Sequence, residues 1–68
     1  MIKIHLSRIL GEKRITQAEL SRRTGIRPST INDIYNEVSE RLKVENIDKI
    51  CECLGCTVPE LLEYIPNL

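Results

Sequence analysis

Apolar residues recur at helical spacing along most of this chain, and residues that start or stop helices punctuate them. Leu6, Ile9, Leu10 and Lys13 fall on one side of a helical projection, which predicts a first helix over 6–13 with Lys13 at its fraying end. Gly11 inside it costs about 1 kcal/mol relative to alanine, and suggests close helix packing there. Further on, Val44 to Leu54 carries Ile47, Ile50, Cys51 and Leu54 as a core stripe, and Gly55 ends that helix at its C′ position. Thr57 and Glu60 then form a capping box around Pro59. Val58, Leu61, Leu62 and Ile65 supply the apolar side of a fifth helix, which Pro66 stops. Only Met1 to Ile4 departs from helical spacing. Ile2 and Ile4 alternate with Lys3, which predicts a strand-like segment that is loose or pairs with a later one.

The centre of the chain, TQAELSRRTGIRPSTINDIY at 16–35, predicts two short helices joined by a tight turn. Thr16 and Glu19 make another T-x-x-E capping box. Ala18, Leu20 and Ser21 form a small or apolar side. Gly25 suits a turn needing positive φ, and Ile26 plugs the corner. Pro28 is pre-set for the first turn of a helix and drives Arg27 into an extended conformation. Ile31 and Ile34 share the inner face, which leaves Ser29, Asn32, Asp33 and Asn36 pointing outward. A short polar face raised on a packed helix pair is the pattern of a helix-turn-helix, whose second helix enters the DNA major groove. Residues 37–43 (EVSERLK) lack a period and predict a loop.

The run T-Q-A-E-L-S-R-R-T-G-I-x-x-x-T-I-x-x-I resembles the Cro/C1-type (XRE) helix-turn-helix regulators of bacteria and phages. IYNE at 34–37, NIDKICECLGC at 46–56 and ELLEYIP at 60–66 extend the likeness to the small stand-alone members, over residues 4–66. The resemblance implies an all-α, five-helix, lambda-repressor-like domain with the motif in its second and third helices. It also implies a transcriptional regulator, repressor or activator, that binds double-stranded DNA as a dimer on two half-sites.

Composition narrows the alternatives. With 68 residues the chain is one domain, and a chain this short buries only about 60% of its unfolded surface. Phe and Trp are absent, so the core must be aliphatic. No apolar run approaches a membrane span of roughly 20 residues, and Met1 to Leu10 carries Lys3, His5 and Arg8 without a cleavage site; a cytoplasmic protein with no membrane contact is expected. Net charge is zero, but nine of the ten basic residues lie in residues 1–43 with half of the acids, leaving +4 there and −4 in the remainder. That separation suggests one face for an anionic partner.

Candidate base-reading residues are Ser29, Asn32 and Asp33 on the exposed face, with Arg27 and Pro28 at the leading end of the helix. Asn bonds adenine N6 and N7 together, Ser bonds either kind of base, and Asp accepts from cytosine N4. Arg27 suits guanine or a phosphate; Pro28 offers only apolar contact. The resemblance places Gln17 beside a phosphate, bracing the recognition helix. Thr16 at the same helix start is a further backbone candidate, and so is Arg23, since one of Arg22 and Arg23 is expected to flank phosphate and the other to be simply exposed. It also places Asn36, Arg41 and Lys43, after that helix, on the DNA backbone. Glu37 stands where many members have Gly, and Glu40 adds a second acid to that loop. Cys51, Cys53 and Cys56 make C-x-C-x2-C, but zinc wants four converging ligands and positions two apart on a helix diverge. Free thiols and no metal or cofactor are expected. His5 has no nucleophile placed beside it, so no enzyme is expected. The rival reading is a protein-interaction module, such as an antitoxin or anti-regulator, which the zero net charge and Asp33, Glu37 and Glu40 favour. For a dimer, the apolar tail Tyr64, Ile65, Pro66 and Leu68 and the Ile2–Ile4 segment are the candidate contacts; the alternative is that both fold back onto their own core and leave a monomer that dimerises only on DNA.

Overall fold

The computed structural model describes residues 1–67. Five helices run in the order α1 (Leu6–Lys13), α2 (Gln17–Thr24), α3 (Pro28–Tyr35), α4 (Val44–Leu54) and α5 (Val58–Leu61). A short antiparallel ribbon, β1 (Ile2–Ile4) with β2 (Leu62–Tyr64), ties the two ends of the described chain together. The core is aliphatic, as a sequence without Phe or Trp requires: Leu6, Leu20, Ile31, Ile50 and Leu61 are fully enclosed, each from a different helix. The stripes of α1, α3 and α4 bury the expected residues, with Ile47 and Cys51 half-buried at the edge of the core.

The expected fifth helix is cut short. It ends at Leu61, and Leu62 to Tyr64 is extended. Its start follows local rules, because Thr57 and Glu60 exchange both hydrogen bonds of a capping box. Its end is set by a distant partner: His5 N–H donates to Leu61 O at 2.7 Å and Ile65 N–H to Met1 O at 2.8 Å. Those bonds satisfy both segments, which a longer helix would leave without partners at the N-terminal end. The register sets Ile4 opposite Leu62 over the core and Ile2 opposite Tyr64 beyond it. The tail residue Leu68 lies outside the described residues. Gly11 also departs from expectation: nothing lies within 4 Å of where its Cβ would stand, so no close helix approach explains it.

Helices α1 to α4 are each followed by a left-handed residue. Gly25 (φ 76°) and Gly55 (φ 64°) take this conformation at little cost, whereas Arg14 (φ 55°) and Glu37 (φ 58°) carry a Cβ that disfavours it. Glu37 ends α3: its own N–H donates to Ile34 O, and Val38 N–H reaches back to Asp33 O at 3.0 Å. Its carboxylate then accepts the Ile4 N–H at 2.9 Å and lies 3.6 Å from Lys3 Nζ. Odd residues of β1 face β2, so the Ile4 amide points to the ribbon's outer edge, where Glu37 is its acceptor.

That hydrogen bond holds the Glu37 carboxyl below its ordinary pKa, with Lys3 adding to it. A depressed carboxylate stabilises the fold above the unfolded pKa and loses that contribution as pH falls through the folded one. Hydrogen-exchange protection of the Ile4 amide should therefore drop as Glu37 protonates on acidification. In Glu37→Ala it should be low at every pH; unchanged protection in that variant would remove Glu37 as the tether.

Candidate nucleic-acid interface

The turn between α2 and α3 is closed by side chains as well as by Gly25. Ser21 Oγ donates to Ile26 O at 2.6 Å, and Thr24 Oγ1 donates to Leu20 O at 2.7 Å and accepts from Ile26 N–H at 3.2 Å. Ile26 is buried in the corner they enclose. Arg27 is extended (φ −58°, ψ 141°), and Pro28 opens α3 at its first position. With Ile31 and Ile34 buried, the opposite side of α3 projects: Arg27, Pro28, Ser29, Asn32, Asp33 and Asn36 are all exposed.

Recesses flank this helix on both sides. On one side Arg27, Thr30, Lys43, Glu45 and Asn46 line a space of about 380 Å³ beside the α2–α3 turn. An adjoining recess adds Arg41 to Thr30, Lys43 and Asn46. Among the described residues, Arg27, Arg41 and Lys43 make no close ion pair; Glu45, whose pKa is lowered chiefly by Lys49 and least by Lys43, shares the Lys43 recess. Thr30 and Asn46 escaped the sequence reading because only the packing of α4 against the motif brings them to this groove. On the other side, Thr16 and Gln17 at the start of α2 share a recess with Ser7, Arg14 and Tyr35. The left-handed turn at Arg14 brings the chain to that recess, a placement no local sequence signal marks.

The Thr16–Glu19 capping box forms only in part. Thr16 Oγ1 accepts the Glu19 N–H at 3.1 Å. The Glu19 carboxylate does not return the bond; it takes Arg23 at 2.6 Å and Arg22 at 2.8 Å, and the Arg23 hydrogen bond is the main reason its pKa is lowered. Two guanidinium groups outcompete one backbone N–H because a charged donor makes the stronger hydrogen bond. Asn36 also turns inward along its helix: its Nδ2 donates to Asn32 O at 3.0 Å and to Asn32 Oδ1 at 3.1 Å.

The three cysteines do not share one site, although Cys51 and Cys56 are neighbours. Cys53 lies in a recess with Arg23 and Lys49, whereas Cys51 borders Val44, Ile47 and Val58. Cys56 follows Gly55, and its N–H reaches Cys51 O at 3.2 Å in a Schellman-type close to α4. Burial, with Cys51 beside it, pushes the Cys56 thiol up to about 11, so it stays protonated near neutral pH. Among the described residues no group of three or more His, Cys, Asp or Glu side chains is arranged to hold a metal ion.

A model of the Cro/C1-type helix-turn-helix DNA-binding domain matches residues 5–67. The chain belongs to that family. An uncharacterized HTH-type transcriptional regulator of Bacillus subtilis (strain 168), YozG, is 27% identical over 63 residues, covering 93% of this chain and 75% of that protein. As a Cro/C1-type domain the chain is a DNA-binding regulator, and no described helix is long and apolar enough to cross a membrane.

In this Cro/C1-type domain Glu19 masks two cations beside the motif. Glu19→Ala should release Arg22 and Arg23 for phosphates, tighten binding to random duplex DNA, and steepen its salt dependence by about one to two ions. Measuring that affinity across a salt series checks it; an unchanged slope would place both arginines away from the DNA.

Proposed function

We propose that this Cro/C1-type domain regulates transcription by reading duplex DNA with α3 in the major groove. The observation that supports this most is the exposed polar face of α3, bordered by the unpaired cations Arg27, Arg41 and Lys43. Ser29, Asn32 and Asp33 meet base edges, and Arg27 and Pro28 enter first. Thr16 and Gln17 on one flank, joined by Arg14, and Arg41 and Lys43 on the other hold phosphates; Arg23, held by Glu19 in the free protein, adds to them once DNA draws it away. The protein acts in the cytoplasm by occupying its site, without catalysis.

Two copies bind as a symmetric dimer on half-sites one helical turn apart, about 34 Å. One such module covers only about 600–1,000 Å² of DNA-contact surface, which is little for a selective regulator. The ribbon supplies a contact for that dimer. Ile2 and Tyr64, opposite each other, are 57% and 66% exposed on a face that elsewhere covers the core. A second reading, a protein-interaction module such as an antitoxin or anti-regulator, draws support from Asp33, which pairs with no cation among the described residues on the very face that would meet phosphates. Binding to duplex DNA that ignores salt would favour that reading.

Selection of bound sequences from a random duplex pool should yield a preferred site. On it, Asn32→Ala should cost about 1–3 kcal/mol while leaving random DNA nearly unaffected. Equal loss on both would deny base reading by Asn32. Lys43→Ala should instead weaken all sequences alike and lower the salt slope by about one. A slope that stays put would take Lys43 out of the interface.

A further inference from the structure

We infer that Asn36 is a positioning residue for base choice: by holding the Asn32 carboxamide in one orientation, it decides which hydrogen-bonding pattern α3 presents to the base pair. This rests on the proposed reading of DNA by α3 and narrows it to one side-chain pair. Asn32 and Asn36 lie one helical turn apart, both exposed. Asn36 Nδ2 meets two atoms of the same residue, the Asn32 carbonyl oxygen at 3.0 Å and Asn32 Oδ1 at 3.1 Å. The backbone oxygen fixes where the Asn36 amide nitrogen sits, because it belongs to the rigid helix. The side-chain oxygen of Asn32 is then drawn to that nitrogen.

The consequence is chemical. A carboxamide has an acceptor end and a donor end of nearly equal size, so an unrestrained Asn presents them in either order. Adenine needs one order, Oδ1 accepting from N6 and Nδ2 donating to N7; the reverse order meets a different base edge. Asn36 holds Oδ1 on its own side and leaves Asn32 Nδ2, with both hydrogens unclaimed among the described residues, turned the other way. Oδ1 retains a second lone pair, so the bond from Asn36 does not prevent it from accepting from a base. With its nitrogen turned to Asn32, Asn36 offers no donor to a phosphate in this conformation. The role that the family resemblance gives it on the DNA backbone is thereby replaced by one exercised through Asn32.

The test compares base preferences rather than affinities. Sequences selected by the unaltered chain, by Asn36→Ala and by Asn36→Asp are compared position by position. The inference expects Asn36→Ala to flatten preference at the one position read by Asn32, by roughly threefold or more, with the other positions unchanged. Asn36→Asp cannot donate to Oδ1 and accepts from Nδ2 instead, so it should reverse the carboxamide and shift preference at that position to another base. With Asn32→Ala as the background, Asn36→Ala should alter no preference. Uniform weakening of all sequences with an unchanged profile is the result of a phosphate contact or a merely structural role, and would overturn the inference. A second measurement needs no DNA. In the free protein, NOEs of the Asn32 Hδ2 protons should place Nδ2 on the side away from Asn36, with both orders present in Asn36→Ala; both orders already in the unaltered chain would overturn the inference equally. If the unaltered chain selects no sequence while the Asn32 carboxamide is held in one orientation, it is the reading of DNA by α3 that fails.

Discussion

Leu20, Ile26 and Ile31 are buried where α2 turns into α3, and the placement of the candidate base-reading residues depends on how tightly this corner packs. Leu20 and Ile31 are fully enclosed, and Ile26 is nearly so. The polar face of α3 stays outward only because its other face is fixed in this corner. Stability for a chain of this length is roughly 3–10 kcal/mol, and removing one buried Ile or Leu side chain costs about 2–5 kcal/mol. The corner therefore leaves little tolerance. Ser21 and Thr24 satisfy the backbone groups that the turn exposes, so the short connection is rigid without a longer loop.

Much of the charge around that corner is paired off. Glu19 holds Arg22 and Arg23, and Glu45 lies 3.0 Å from Lys49. The cations left unpaired beside α3 are those of the loop and the turn, Arg27, Arg41 and Lys43. A chain of zero net charge thus keeps a local cationic border without a broadly basic surface, which limits indiscriminate attraction to phosphate. Glu37 links this surface to the ribbon. It accepts a left-handed backbone and gains Ile4 as a hydrogen-bond partner, so the end of α3 and the start of the chain are held together.

Where structure is decided by neighbours in sequence, it was legible. The stripes of α1, α3 and α4, Pro28 at the start of α3, Gly25 and Gly55 after their helices, and the Thr57–Glu60 box all follow from spacing and side-chain chemistry. Features decided by distant partners were not. Leu62 to Tyr64 has the apolar content of a helix end, and only Met1 to Ile4 makes it a strand. Glu19 had a backbone N–H and two arginines to choose from, and the motif alone did not rank them. The outward set on α3 was readable from period. The recess joining Thr30 and Asn46 to Lys43 was not, because it exists only once α4 is packed. The left-handed turns at Arg14 and Glu37 carry no glycine to announce them.

The central claim is that α3 and its borders, rather than the ribbon or the acidic side of α4, form the surface that meets DNA. Titrating isotope-labelled protein with its selected duplex and following backbone amide shifts residue by residue tests this most directly. The account predicts the largest changes at Thr16 and Gln17, from Arg27 to Asp33, and at Lys43, with Asp48, Glu52 and Glu63 nearly still. Changes centred on α4 or the ribbon, with α3 unmoved, would contradict it.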